Sequence, residues 1–84
     1  MMDENTLSQQ IIDSLTKVAP DVDRNMLDPE INFRDQFDVD SVDFLGLVLD
    51  LEKRLEIKIP EVDYPKLSSM KGCLAYLRPM FSDK

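Results

Sequence analysis

A chain of 84 residues is the size of one domain; it buries about 60–70% of its unfolded surface on folding, enough for a modest core but not for a deep catalytic cleft. Seventeen acidic against ten basic side chains leave a net charge of −7, a field that repels phosphate backbones and anionic membrane surfaces and attracts basic protein patches. Nucleic-acid binding is therefore not expected, nor is membrane insertion, since no apolar run approaches the roughly 20 residues a spanning helix needs.

Leu7, Ile11, Leu15 and Val18 recur at steps of four, four and three, which places them on one helical face. Asp3 or Asn5 can cap this first helix, and Pro20 lies just beyond its end. Segment 19–40 loses the period and collects Asp, Asn and two prolines. It is long for a connection in a compact domain, where medians are about 4–6 residues. We expect it to cross the bundle, pinned by Val22, Met26, Leu27, Ile31, Phe33 and Phe37.

Ser41 to about Leu55 is the clearest helix. Val42, Leu45, Val48, Leu49 and Leu51 supply a broad apolar face, with Asp43, Asp50, Glu52, Lys53 and Arg54 opposite. Asp40 is a good N-cap and Asp43 stands three positions on, as in a weak capping box. Gly46 costs about 1 kcal/mol relative to alanine inside a helix; it either permits a close approach or is simply tolerated. Ile57-Lys58-Ile59-Pro60 alternates like a strand but has no partner strand, so an extended linker is expected. Glu61–Lys66 can hold a single helical turn limited by Pro65. The last helix should start near Ser68 or Ser69, present Met70, Cys73, Leu74 and Leu77, and fade at Pro79. The expected fold class is all-α, a small four-helix bundle of three main helices and one short one. A long connection joins the first two, and residues 1–84 form a single domain.

Several familiar chemistries fail on spacing. Asp21-Val22-Asp23-Arg24-Asn25 opens like a calcium loop, but its sixth place is Met26 and its twelfth Asn32, where glycine and glutamate are required. The run from Asp38 fails likewise, with Val42 and Leu49 at ligand positions. One cysteine and no histidine exclude a Cys/His zinc site, and two distant glycines exclude a phosphate loop. Cys73 lies among Met70, Leu74 and Leu77 at helical spacing, so a buried, inert thiol is expected. With no internal disulfide possible and no basic-then-apolar leader, the expected location is the cytoplasm.

Ser41 sits between aspartates at the start of the long helix. Without histidine the chain cannot build a Ser-His nucleophile, so any chemistry at this serine is done to it by another protein. Asp40-Ser41 also reads as an ordinary helix cap. A helix N-terminus presents unpaired N–H groups and positive dipole, which would stabilise a phosphodiester there; Asp40 and Asp43 would turn it outward.

From Phe33 to Leu77 the chain resembles the phosphopantetheine-binding acyl carrier protein family. The family's Asp-Ser-Leu signature stands here as Asp40-Ser41-Val42. A long helix follows, then the exit Ile57-Lys58-Ile59-Pro60, the acidic turn Glu61-Val62-Asp63, and a serine-capped last helix containing Ala75-Tyr76-Leu77. The resemblance implies a carrier and not an enzyme. A phosphopantetheinyl transferase would attach 4′-phosphopantetheine from coenzyme A to Ser41, and the arm would carry acyl cargo as a thioester. Asp40, Asp43 and Glu52 would face basic docking patches on the acyl-loading and acyl-processing enzymes of fatty-acid, lipid or polyketide-type biosynthesis. Phe33, Leu51, Ile59, Leu67 and Cys73 fall where the family lines its acyl cavity, and a monomer is expected. Asp38 replaces a common glycine, Val42 a leucine and Tyr64 a small residue. Gly46 and Lys53 replace acidic docking residues of many fatty-acid carriers. These departures point to a specialised carrier. A peptidyl, aryl or D-alanyl carrier would use the same serine, and an unmodified acidic interaction module would not use it at all.

Overall fold

The computed structural model describes residues 3–81. Helix α1 spans Glu4–Val18, α2 is the short Phe33–Gln36, α3 spans Ser41–Leu55 and α4 spans Met70–Phe81. Two 3₁₀ segments, Arg24–Met26 and Glu61–Leu67, complete the all-α bundle, in which no strand occurs among the described residues.

Helix α1 starts where Asp3 accepts the Thr6 N–H at 2.8 Å, a bond that also holds the Asp3 carboxyl below its usual range. Its inner face buries Leu7, Ile11 and Leu15, with Val18 half-buried at the end. Burying such aliphatic side chains stabilises by about 1.5–3 kcal/mol each. Ser14 is also fully buried, and it is satisfied across the helix pair. It donates to Asp50 at 2.6 Å and accepts from Arg54 Nε at 2.9 Å. Lys17 closes on the other oxygen of Asp50 at 3.1 Å. Burial tends to raise the Asp50 pKa, but the bonds from Ser14, Lys17 and Arg54 outweigh it and hold the carboxyl below its usual value.

The connection from α1 to α3 is anchored differently from the expectation. Val22 and Phe33 are buried and Leu27 and Phe37 half-buried, but Met26 is 74% exposed and Ile31 42%. Hydrogen bonds take the place of those two anchors. The Gln36 side chain accepts from Asp28 N–H at 2.9 Å and donates to the carbonyls of Asp28 and Ile31. Phe33 N–H donates to Ser68 at 2.8 Å and Lys71 N–H to Pro29 at 2.9 Å, which ties the loop to the entrance of α4. The Cα radius of gyration, 11.8 Å, matches the roughly 12 Å of a compact chain this long, so the loop lies on the bundle.

Helix α3 has the predicted bounds but a different buried face. Leu47, Val48, Leu51 and Leu55 are buried, whereas Val42, Leu45 and Leu49 are 75%, 44% and 50% exposed. This helix holds more apolar residues than one face can cover, so periodicity alone does not choose between them. It ends at Glu56, whose left-handed conformation (φ 57°) costs about 1 kcal/mol. The Glu52 carbonyl accepts from both Glu56 and Ile57, and its carboxylate accepts from Ile59 N–H at 2.7 Å. Glu52 thus turns the chain into the extended exit at Ile57–Pro60.

Beyond that exit the single turn expected at Glu61–Lys66 is a longer 3₁₀ segment that accommodates Pro65. It is clasped to α4 by Tyr76 Oη, which donates to Asp63 at 2.7 Å, while Lys66 pairs with Asp63 at 3.3 Å. Ser69 opens α4 by accepting from Gly72 N–H at 3.0 Å through its hydroxyl and from Cys73 N–H through its carbonyl. Met70, Cys73 and Leu77 are buried, and Leu74 is half-buried. Contrary to expectation, α4 passes Pro79 and reaches Phe81. The proline removes the donor to Ala75, which is exposed, so water can serve that carbonyl.

Candidate functional site at the start of α3

Val39 is buried and fixes the approach to α3, leaving Asp40 and Ser41 exposed above the core. A complete capping box holds the turn. Asp40 Oδ1 accepts the Asp43 N–H at 2.9 Å, Asp43 Oδ2 accepts the Asp40 N–H at 3.4 Å, and the Asp40 carbonyl takes Phe44 N–H. Ser41 is therefore the first residue of a fifteen-residue helix, with its side chain exposed. Among the described residues the N–H groups of Ser41 and Val42 have no protein acceptor. Two unfilled donors and the positive helix end lie next to the hydroxyl, a donor set that fits a phosphodiester on this side chain.

The residues expected to dock partners fall into two groups. Asp40 and Asp43 flank Ser41, and each commits one carboxylate oxygen to the capping box while the other stays available. Glu52 lies about 18 Å further along the helix, and its carboxylate serves Ile59. The five residues expected to line an acyl cavity come together. Phe33, Leu51, Ile59, Leu67 and Cys73 are all buried in one core cluster. Cys73 Sγ donates to the Leu67 carbonyl at 3.3 Å, and burial pushes its thiol pKa up to about 12. It is a packing residue at neutral pH.

Sequence reasoning missed the outward stripe Val42, Leu45 and Leu49, which starts beside Ser41 and runs along the exposed side of α3. Val62, on the Glu61–Leu67 3₁₀ segment, is 84% exposed. The available signal was the surplus of apolar residues in α3, which one buried face cannot absorb. It also missed the Ser14–Asp50–Arg54 clasp, because a serine on an apolar face does not announce its partner.

Residues 9–74 match the family described as Phosphopantetheine attachment site. The acyl carrier protein of Lactobacillus johnsonii is 31% identical over 92% of this chain and 95% of its own length. That of Helicobacter hepaticus is 36% identical over 67% of this chain and 74% of its own. That of Chlorobium phaeobacteroides is 26% identical over 90% and 96%. A family match across most of the chain, with an exposed serine at the head of α3, establishes that this chain belongs to the phosphopantetheine-dependent acyl carrier proteins, which are carriers and not catalysts.

Proposed function

We propose that Ser41 is the residue to which 4′-phosphopantetheine is attached, and that residues 1–84 act as one carrier domain. The observation that carries this is the exposed Ser41 hydroxyl beside two unfilled N–H groups at the start of α3. A phosphopantetheinyl transferase brings coenzyme A to this hydroxyl. The Ser41 oxygen bonds to the phosphorus next to the pantetheine moiety and the diphosphate P–O bond breaks. Adenosine 3′,5′-bisphosphate leaves, and the serine proton passes to a base of the transferase. Once attached, the group supplies a terminal thiol that holds acyl cargo as a thioester.

The chain's own part is to present and orient. The capping box fixes the direction in which Ser41 projects, and the N–H groups of Ser41 and Val42 offset the phosphate charge. Asp40 and Asp43 meet basic patches on the transferase and on the acyl-loading and acyl-processing enzymes, while Val42 and Leu45 add an apolar contact beside the arm. Glu52 contributes indirectly, by holding the exit at Ile59. Phe33, Leu51, Ile59, Leu67 and Cys73 form the core into which an acyl chain inserts. The pathway is lipid or polyketide-type synthesis in the cytoplasm, served by a monomer.

The test is intact-mass measurement after incubation with coenzyme A and a broad-specificity transferase. One phosphopantetheine is expected on the wild type and none on Ser41→Ala. Modification of Ser41→Ala refutes the assignment by placing the group on another residue, and no modification of the wild type refutes it in favour of an unmodified interaction module.

A further inference from the structure

Of the five prolines in the chain only Pro29 follows an aspartate, and the Asp28–Pro29 peptide bond is held from both sides. The Gln36 side chain grips residue 28 from α2. Its Oε1 accepts from Asp28 N–H at 2.9 Å, and its Nε2 donates to the Asp28 carbonyl at 2.8 Å. Ile31 N–H donates to the same carbonyl oxygen at 3.2 Å, so that oxygen carries two donors. Beyond the bond, the Pro29 carbonyl accepts from Lys71 N–H at 2.9 Å, which fixes the proline to the start of α4. The Asp28 carboxylate turns toward the backbone that follows it, where Oδ1 accepts from Glu30 N–H at 2.9 Å. Among the described residues Oδ2 has no protein partner. Asp28, Pro29 and Glu30 are exposed and line an open groove of about 1170 Å³ between α1 and α4, so water reaches the bond.

We propose that Asp28 and Gln36 make this bond a site of acid-triggered self-cleavage. Oδ2 bonds to the Asp28 carbonyl carbon, closing a five-membered ring, and the carbonyl electron pair moves onto the oxygen held by Gln36 Nε2 and Ile31 N–H. Donors already aimed at that oxygen stabilise the charge as it develops, and a nucleophile on the same residue needs no encounter. The C–N bond then breaks as the Pro29 nitrogen takes a proton from the acidic solvent and leaves as a secondary amine. Water opens the cyclic anhydride, which restores the Asp28 side-chain carboxyl and leaves a new α-carboxyl. One water is consumed in all. The prolyl bonds after Ala19, Ile59, Tyr64 and Arg78 have no such carboxyl and should stay intact. The cut separates α1 from the part that carries Ser41, but Leu7, Ile11 and Leu15 stay buried in the core and Ser14 stays bonded to Asp50. The two pieces should therefore remain together until they are denatured.

The test incubates the full chain at about pH 5, the acid edge of the range where proteins are most stable, with circular dichroism confirming the fold. Denaturing mass spectrometry follows the pieces 1–28 and 29–84. They should accumulate about tenfold faster than from the same chain unfolded in guanidinium chloride, a modest share of the hundredfold or more that one oxyanion donor supplies in an enzyme. Asp28→Ala should not be cut at this bond. Gln36→Glu keeps an acceptor for Asp28 N–H but loses the donor to the carbonyl, and its rate should fall to that of the unfolded chain. A folded rate at or below the unfolded one overturns the proposal. So does cleavage at this bond in Asp28→Ala, or a folded Gln36→Glu that is cut as fast as the wild type. Should Gln36→Glu fail to fold, the comparison of folded with unfolded wild type decides alone.

Discussion

The chain has two glycines, and helix propensity predicts the same gain for each on replacement by alanine, about 1 kcal/mol. The structure splits them. A Cβ on Gly72 would stand 2.3 Å from the backbone carbonyl oxygen of Lys66 and 3.3 Å from Ser69 Oγ. The first contact is with main chain, so no side chain can rotate away, and the start of α4 has to move off the Glu61–Leu67 segment. Overpacking of this kind costs about 1–3 kcal/mol, and a clash with backbone belongs at the upper end. Set against the propensity gain, Gly72→Ala should lose about 1–2 kcal/mol net. For a domain this small that lowers Tm by about 5–15 °C. On Gly46 the Cβ would meet only the tip of Val18 at 3.1 Å, and Val18 is half-buried and can shift. Gly46→Ala should therefore be neutral or stabilising by up to about 1 kcal/mol. Urea unfolding followed by circular dichroism, with thermal melts beside it, measures both. Equal or greater stability in Gly72→Ala, at unchanged m-value, would refute the close-approach argument.

Ser14→Ala leaves Asp50 and Arg54 without their buried partner and should cost about 1–3 kcal/mol in the same urea assay. Because the folded-state pKa of Asp50 is lowered, its contribution is complete above the unfolded value near 4 and is lost as pH falls through the folded one; Asp50→Asn should flatten that acid limb. The hydrogen bond to Asp63, with burial second, raises the Tyr76 pKa, so the phenolate absorbance of Tyr76 should appear above the ordinary value near 10 and move down in Asp63→Asn. Tyr76→Phe removes the donor that lowers the Asp63 pKa, so the Asp63 carboxyl should titrate closer to its ordinary value in that variant, as followed by NMR. Cys73 should react with a thiol reagent only as fast as the protein opens; labelling at the rate of a free thiol in native conditions would contradict its burial.

Local rules already contain most of the framework. Asp3, Asp40 and Ser69 cap their helices as short-range chemistry predicts, and the long helix begins and ends where its pattern does. The absence of histidine and the aspartates around Ser41 are facts of composition, and they limit what this serine can do. Which face of α3 turns inward is not a local matter. Val42, Leu45 and Leu49 are as apolar as Leu47 and Leu51, and only packing against α1 and the rest of the core decides that the first three remain outside as an exposed stripe. Glu52 reads as a surface acid until the chain folds back and brings the Ile59 N–H to its carboxylate. Gly72 reads as a weak helix residue until the Lys66 carbonyl arrives. Sequence determined the elements and set Ser41 between aspartates at a helix start, because caps, periodicity and composition act over a few residues. Tertiary structure alone decided which apolar residues stay exposed and which charges are consumed internally, because both depend on groups far apart in the chain.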